Sequence, residues 1–202
     1  RHFWLTAIMA ARFLASAFSG GPALLIILAM ILRKNTKFDA GREPIQSVAK
    51  IVTYAMIANV FFILLEVFTA FYSNIPGHMH AFEYLFAGID GHNKLVPLMW
   101  TSVVCAVISL ILLIPYKFRE NENLLLVACI TVFISLWIDK GFGLVIGGFV
   151  PNQFGTVTEY WPTLAESLIT LGIWSIGFLV LTILYKVAVS VREELGTAKS
   201  DY

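Results

Sequence analysis

The stretch IVTYAMIANVFFILLEVFTAFY (residues 51–72) decides the fold class, because it is continuous apolar sequence carrying a single charge, Glu66. A helix needs about 20 residues to cross a hydrocarbon core of roughly 30 Å, and this run supplies them. Working outward from it, comparable runs cover residues 3–32, 45–72, 95–116, 124–146 and 161–191. Each is too long and too evenly apolar for a barrel strand, which alternates over about ten residues. The pattern predicts an all-α integral membrane protein of about five transmembrane helices, an antiparallel bundle plus one further helix, forming a single transmembrane domain over residues 1–202.

Composition agrees. The chain is 58% hydrophobic and 13% charged, with a mean hydropathy of +0.80, whereas soluble domains carry about 25% charged residues. A net charge of +1 leaves no electrostatic footprint for nucleic acid. Cys105 and Cys129 both fall inside apolar runs without CxxC spacing, which excludes a disulfide framework or a cysteine-ligated cluster within the chain. The start at Arg1, with no signal-peptide cleavage pattern, reads as a processed or partial chain.

Orientation follows from the basic residues, which collect on cytoplasmic loops. Arg33, Lys34, Lys37, Arg42, Lys50, Lys117, Arg119, Lys186, Arg192 and Lys199 fall on one side, and Arg1, Lys94 and Lys140 on the other. That asymmetry predicts a multi-pass protein of the cytoplasmic membrane with its N-terminus outside and its C-terminus in the cytoplasm. The connections at 73–94 and 147–160, with Tyr84, Tyr160 and Trp161 suited to a headgroup belt, then face outward.

Four charges interrupt the apolar runs: Arg12, Glu66, Asp139 and Glu166. A charge at the bilayer centre costs about 2.5–3.5 kcal/mol even on a lenient scale. At about 1.5 Å per helical residue, all four fall roughly 7–14 Å below the outward surface. Two readings stay open. One is a structural ion pair between Arg12 and Glu66. The other is a polar pocket or proton-accepting chain opening outward, in which Glu66 works with Arg12, and Asp139 with Lys140 and Glu166; desolvation raises a carboxylate pKa and a nearby cation lowers it.

His78, His80 and His92 share one outward segment, GHMHAFEYLFAGIDGHN (77–93). An HxH pair without a third ligand reads as interfacial loop rather than metal site, and His92 remains a candidate for the pocket. No histidine lies inside an apolar run, so the paired axial ligands of a b-type haem are missing. Gly141, Gly143, Gly147 and Gly148 read as the end of a helix before Pro151 rather than as close packing.

The opening RHFWLTAIMAARFLASAFSGGPALLI (1–26) resembles the helix that begins the second half of NrfD, or polysulfide-reductase-type, membrane subunits. AFEYLFAGIDGHNKLVPLMW (81–100) and WIDKGFGLVIGGFVPNQFGTVTEYWPTLAESLITLGIW (137–174) resemble one branch more narrowly: the membrane subunits of sulfite-reductase-associated (DsrP) and Hmc complexes. The resemblance implies a subunit without haem or iron–sulfur cluster of its own that binds menaquinone or menaquinol. It exchanges electrons with an extracytoplasmic, ferredoxin-like iron–sulfur subunit, with cytochrome b and multihaem cytochrome c subunits as further partners. Members of this branch carry about ten helices, so the five here correspond to the C-terminal half. A structural anchor without a quinone site, or a small transporter, are the alternatives; broken helices and inverted repeats are not evident in the sequence.

Overall fold

The computed structural model describes residues 2–35, 39–150, 152 and 156–198, without the side chains of His2 and residues 192–198. Arg1, Lys37 and Lys199, used above for orientation, and Pro151 lie outside the described residues. The chain divides into two compact units, Arg1–Tyr160 and Trp161–Tyr202.

The first unit holds four long helices. A 3-10 turn, His2–Trp4, precedes α1 (Ile8–Asn35), followed by α2 (Arg42–Tyr72), α3 (Pro76–Phe86), α4 (Val96–Leu113), the short α5 (Tyr116–Glu120) and α6 (Glu122–Ile138). Beyond α6 the helix widens into a π-helix, Asp139–Ile146, and closes with one α-turn, α7 (Gly147–Phe149). α1 packs on α2 and α6, and α4 packs on α6 and α2. The second unit contains α8 (Leu164–Ala198). Among the described residues five helical segments are long and apolar enough to cross a membrane, and there is no strand.

Several boundaries differ from the sequence expectation. The first helix starts at Ile8 because residues 2–4 turn separately and tuck Phe3 against Phe82, with ring centroids 5.5 Å apart. The connection expected as a loop over 73–94 contains α3. Its signal was local: Pro76 sits in the first helical turn, where a missing N–H costs nothing, and Ala81, Phe82, Tyr84 and Leu85 bury one face. α3 ends where the N–H groups of Ala87 and Gly88 both donate to the Glu83 carbonyl. Gly88 has φ +82, and a Cβ there would stand 2.9 Å from the His92 carbonyl oxygen. The charged turn after α4 contains α5, and the Asn121 side chain caps α6 by accepting from the N–H of Asn123 and Leu124.

Two apolar cores result. One includes Ala23, Ile26, Val52, Met56, Leu113, Leu125 and Val132. The other, against α3, includes Phe3, Ala70, Phe82, Tyr84, Leu85, Leu95 and Met99. At the far end of the first core Arg33 holds Glu122 through both guanidinium arms, one at 2.9 Å. Gln46 Nε2 donates to the Arg119 carbonyl at 2.9 Å, tying α2 to α5. These two ends of the first unit are called below the Arg33 end and the α3 end.

The helix does end at Phe149, before Pro151, but close packing, which the sequence reading set aside, also explains Gly143, Gly147 and Gly148, while a Cβ on Gly141 would meet nothing within 4 Å. Trp4 lies flat over Gly148, and its Nε1 donates to the Leu144 carbonyl at 3.0 Å. A Cβ on Gly148 would fall 2.2 Å from the indole ring, and one on Gly147 would fall 2.8 Å from Leu85 Cδ1. Gly148→Ala must therefore expel Trp4 and break its hydrogen bond, a loss of about 1–3 kcal/mol by analogy with overpacked cores. Thermal unfolding in detergent is expected to show a lowered Tm; an unchanged Tm would show that Trp4 does not need this contact.

Candidate functional site

Heptad spacing sets one polar position after another on the inner faces of α1 and α2. Arg12, Ser16 and Ser19 follow at i, i+4 and i+7 on α1, and Asn59 and Glu66 are seven residues apart on α2; all five are buried. The apolar sequence around them leaves no water to solvate a charge, so each charged group needs a partner from another helix.

The Arg12 guanidinium meets that need from two sides. Nη1 donates to Glu66 Oε2, and Nη2 donates to Asp139 Oδ1 at 2.6 Å. Arg12, Glu66 and Asp139 are 4%, 4% and 6% exposed, so the contact is desolvated on every side. Lys140 Nζ stands 3.3 Å from Asp139 Oδ2 and 5.0 Å from the centroid of the Phe13 ring. Two cations and two carboxylates thus neutralise one another where the two apolar cores meet. Asp139 is the first residue of the π-helix, whose wider turn is a common feature of functional sites. Gly143 leaves room there for Met99 and lies close to Asp139 Oδ1.

Sequence reasoning anticipated the pair Arg12 with Glu66 and the pair Asp139 with Lys140. The guanidinium bridge from Arg12 to Asp139, which joins the pairs into one group, was not anticipated, because sequence spacing does not reveal that α6 lies beside α1. Glu166 belongs to the second unit, where its carboxylate accepts from Thr163 N and Oγ1 at 2.7 and 2.8 Å. Its own N–H donates to Thr163 Oγ1 at 3.4 Å, so TxxE forms a capping box that starts α8. His92 sits apart from the charged group in an outer clasp: its Nδ1 is 3.8 Å from Glu159, which also takes the Lys94 ammonium at 3.0 Å and the Lys94 N–H at 3.1 Å. The Lys94 ammonium holds the Glu159 carboxyl below its ordinary value of 4.5. The clasp therefore stands above that range and is released as pH falls through the lowered value.

A cavity of about 290 Å³ opens at the α3 end and reaches the charged group. Phe3, Thr6, Glu66, Thr69, Ser73 and His78 are among its lining residues. Glu66 Oε1, the oxygen not engaged by Arg12, has no hydrogen-bond partner among the described residues. Thr69 and Ser73 could have been read from the sequence, since they follow Glu66 at i+3 and i+7 on α2. The His78 contribution was hidden, because it depends on α3 folding back beside the end of α2. Among the described residues no three His, Cys, Asp or Glu side chains converge to hold a metal ion.

Residues 1–152 match the family described as polysulphide reductase, NrfD. A relative from Halobacterium salinarum, described as a putative membrane subunit of dimethyl sulfoxide reductase, is 24% identical over 199 residues, covering 88% of this chain and 44% of that protein. The chain thus spans less than half the length of this curated relative.

Removing Arg12 leaves two buried carboxylates facing one cation. Breaking such a group by one partner costs about 3–5 kcal/mol, so Arg12→Leu is expected to reduce the amount of folded protein in the membrane sharply. Removing Glu66 as well restores the balance, because Asp139 keeps Lys140. The double variant Arg12→Leu, Glu66→Leu should recover much of the loss when folded protein is quantified in detergent. Equal loss in the single and double variants would contradict direct pairing.

Proposed function

The chain belongs to the polysulphide reductase NrfD family, and from that premise we propose that it handles quinone in a respiratory electron-transfer complex. In this reading the subunit exchanges electrons between menaquinol or menaquinone and an extracytoplasmic iron–sulfur subunit. The likeness of residues 81–100 and 137–174 to sulfite-reductase-associated membrane subunits supports sulfur respiration as the setting. The basic asymmetry of the loops supports an outward α3 end in a cytoplasmic membrane.

One observation carries the proposal: Glu66 lines the α3-end cavity, a space that can take a quinone headgroup, and its buried oxygen Oε1 has no hydrogen-bond partner among the described residues. Oxidising a quinol to a quinone releases two electrons and two protons. The electrons pass one at a time to the clusters of the docked partner. The protons need an acceptor within hydrogen-bond reach and an exit to water. Glu66 Oε1 supplies the acceptor, and the mouth of the cavity supplies the exit. Thr6, Thr69 and His78 line the same space and give the headgroup oxygens polar partners. Arg12 fixes the Glu66 carboxylate through its other oxygen, which aims the free one.

The partner docks on the connections at 73–94 and 147–160 in this reading. α3 shapes the first connection, and the Lys94–Glu159 clasp ties its end to Glu159 of the second; a cluster seated on them would lie near the cavity mouth.

Thr69→Phe tests the cavity without touching a charge. In the assembled complex it is expected to raise KM for quinol and to lower turnover, because the ring occupies the headgroup space. Glu66→Gln should reduce quinol oxidation by about 10²-fold, the contribution of a general base. Assembled complexes that oxidise quinol at the native rate with both changes would overturn the proposal and favour a scaffold role for the charged group.

A further inference from the structure

Asn59 lies deeper in the first unit than the charged group, and nothing in the quinone reading uses it. Its side chain is 1% exposed, and neither the amide oxygen nor the amide nitrogen has a hydrogen-bond partner among the described residues. An asparagine amide offers two donors and an acceptor with two lone pairs. Leaving such a group dry and unpaired is strongly unfavourable, so buried amides find partners in nearly every protein.

The register of α1 on α2 shows what surrounds it. Arg12 meets Glu66 across the two antiparallel helices. Seven residues along each helix, about 10 Å deeper, Ser19 comes opposite Asn59. Ser19 is 0% exposed, and its hydroxyl donates to the Ala15 carbonyl at 2.9 Å, which leaves its oxygen free to accept. Ser16 and Gly20 flank it with small side chains, and Pro22 supplies no N–H to the Phe18 carbonyl at the same level. One heptad further on, Ile26 comes opposite Val52, and with Ala23 and Met56 they form an apolar layer; the buried Thr53 hydroxyl beside it donates to the Ala49 carbonyl at 2.7 Å.

We propose that bound water occupies the crossing of Ser19 and Asn59 between α1 and α2. Water is the ligand that fits: it both donates and accepts, and it is small enough for an interior position that no side chain from outside the bundle can reach. A buried water makes about three hydrogen bonds to groups otherwise left unpaired, and the Asn59 amide and Ser19 hydroxyl provide them. The apolar layer at Ile26 and Val52 bounds the hydrated site on the Arg33 side. The site stands whether or not a quinone binds in the cavity above it.

X-ray radiolytic labelling of the purified full-length subunit tests this, because internal water generates hydroxyl radicals beside side chains that bulk solvent does not reach. Met56 is 1% exposed and lies one turn from Asn59 on the same face of α2. Native protein is expected to show oxidised Met56, and Asn59→Leu, which displaces water with an apolar side chain of similar size, should lower that oxidation severalfold. Asn59→Leu should also leave the Tm close to the native value, since an apolar side chain of similar size replaces the hydrated amide without leaving it unpaired. Ser19→Ala, a smaller change, gives a second reading and should lower the oxidation in part. Met56 unlabelled in the native protein, or labelled equally in native, Asn59→Leu and Ser19→Ala proteins, would overturn the proposal.

Discussion

A guanidinium in an apolar bundle cannot shed its charge, and everything around Arg12 follows from that constraint. Arginine is a fixed cation by its chemistry, so carboxylates have to come to Arg12. They come from two other helices, Glu66 on α2 and Asp139 at the end of α6. The register of α1 against both neighbours is thereby fixed at one level, and the heptad partners above and below fall into line. Sliding α1 by one turn along α2 would move Arg12 about 5.4 Å from Glu66 and strand both charges.

The same constraint accounts for the π-helix. Asp139 has to reach Arg12 while its neighbour Lys140 stays close enough to balance the second carboxylate, and consecutive residues of an α-helix point about 100° apart. The wider turn from Asp139 to Ile146 keeps both side chains at the charged group. Gly143, Gly147 and Gly148 then let Met99, Leu85 and Trp4 approach the widened backbone. The segment that carries the charge is thus also the segment that α3 and the N-terminal turn clamp from outside.

The sequence showed the helix class plainly, because runs of about 20 apolar residues have one physical meaning in a membrane protein. It also offered Arg12 and Glu66 as a candidate pair, since both interrupt neighbouring runs at matching depth. What it hid was lateral: which helix lies beside which. The Arg12–Asp139 contact, the cavity wall formed by His78, and the burial of Asn59 all depend on α6 and α3 packing around α1 and α2. Glu166 has a local role that a reading by depth alone did not bring out. Its place in an apolar run read as part of a shared polar layer, yet the residue three positions earlier, Thr163, gives it a local task as a helix cap.

Each end of the first unit carries an open pocket, about 290 Å³ at the α3 end and about 320 Å³ at the Arg33 end; Glu66 lines the first, and Arg33, Lys34 and Glu122 line the second. The central claim is that Glu66 is reached from outside the membrane through the α3-end cavity. Thr69 lines that cavity one turn beyond Glu66. The most direct measurement is reaction of a Thr69→Cys protein, with Cys105 and Cys129 replaced by alanine, toward a membrane-impermeant thiosulfonate added to intact cells. The account predicts rapid modification from outside; modification only after the cytoplasmic face is exposed would contradict it.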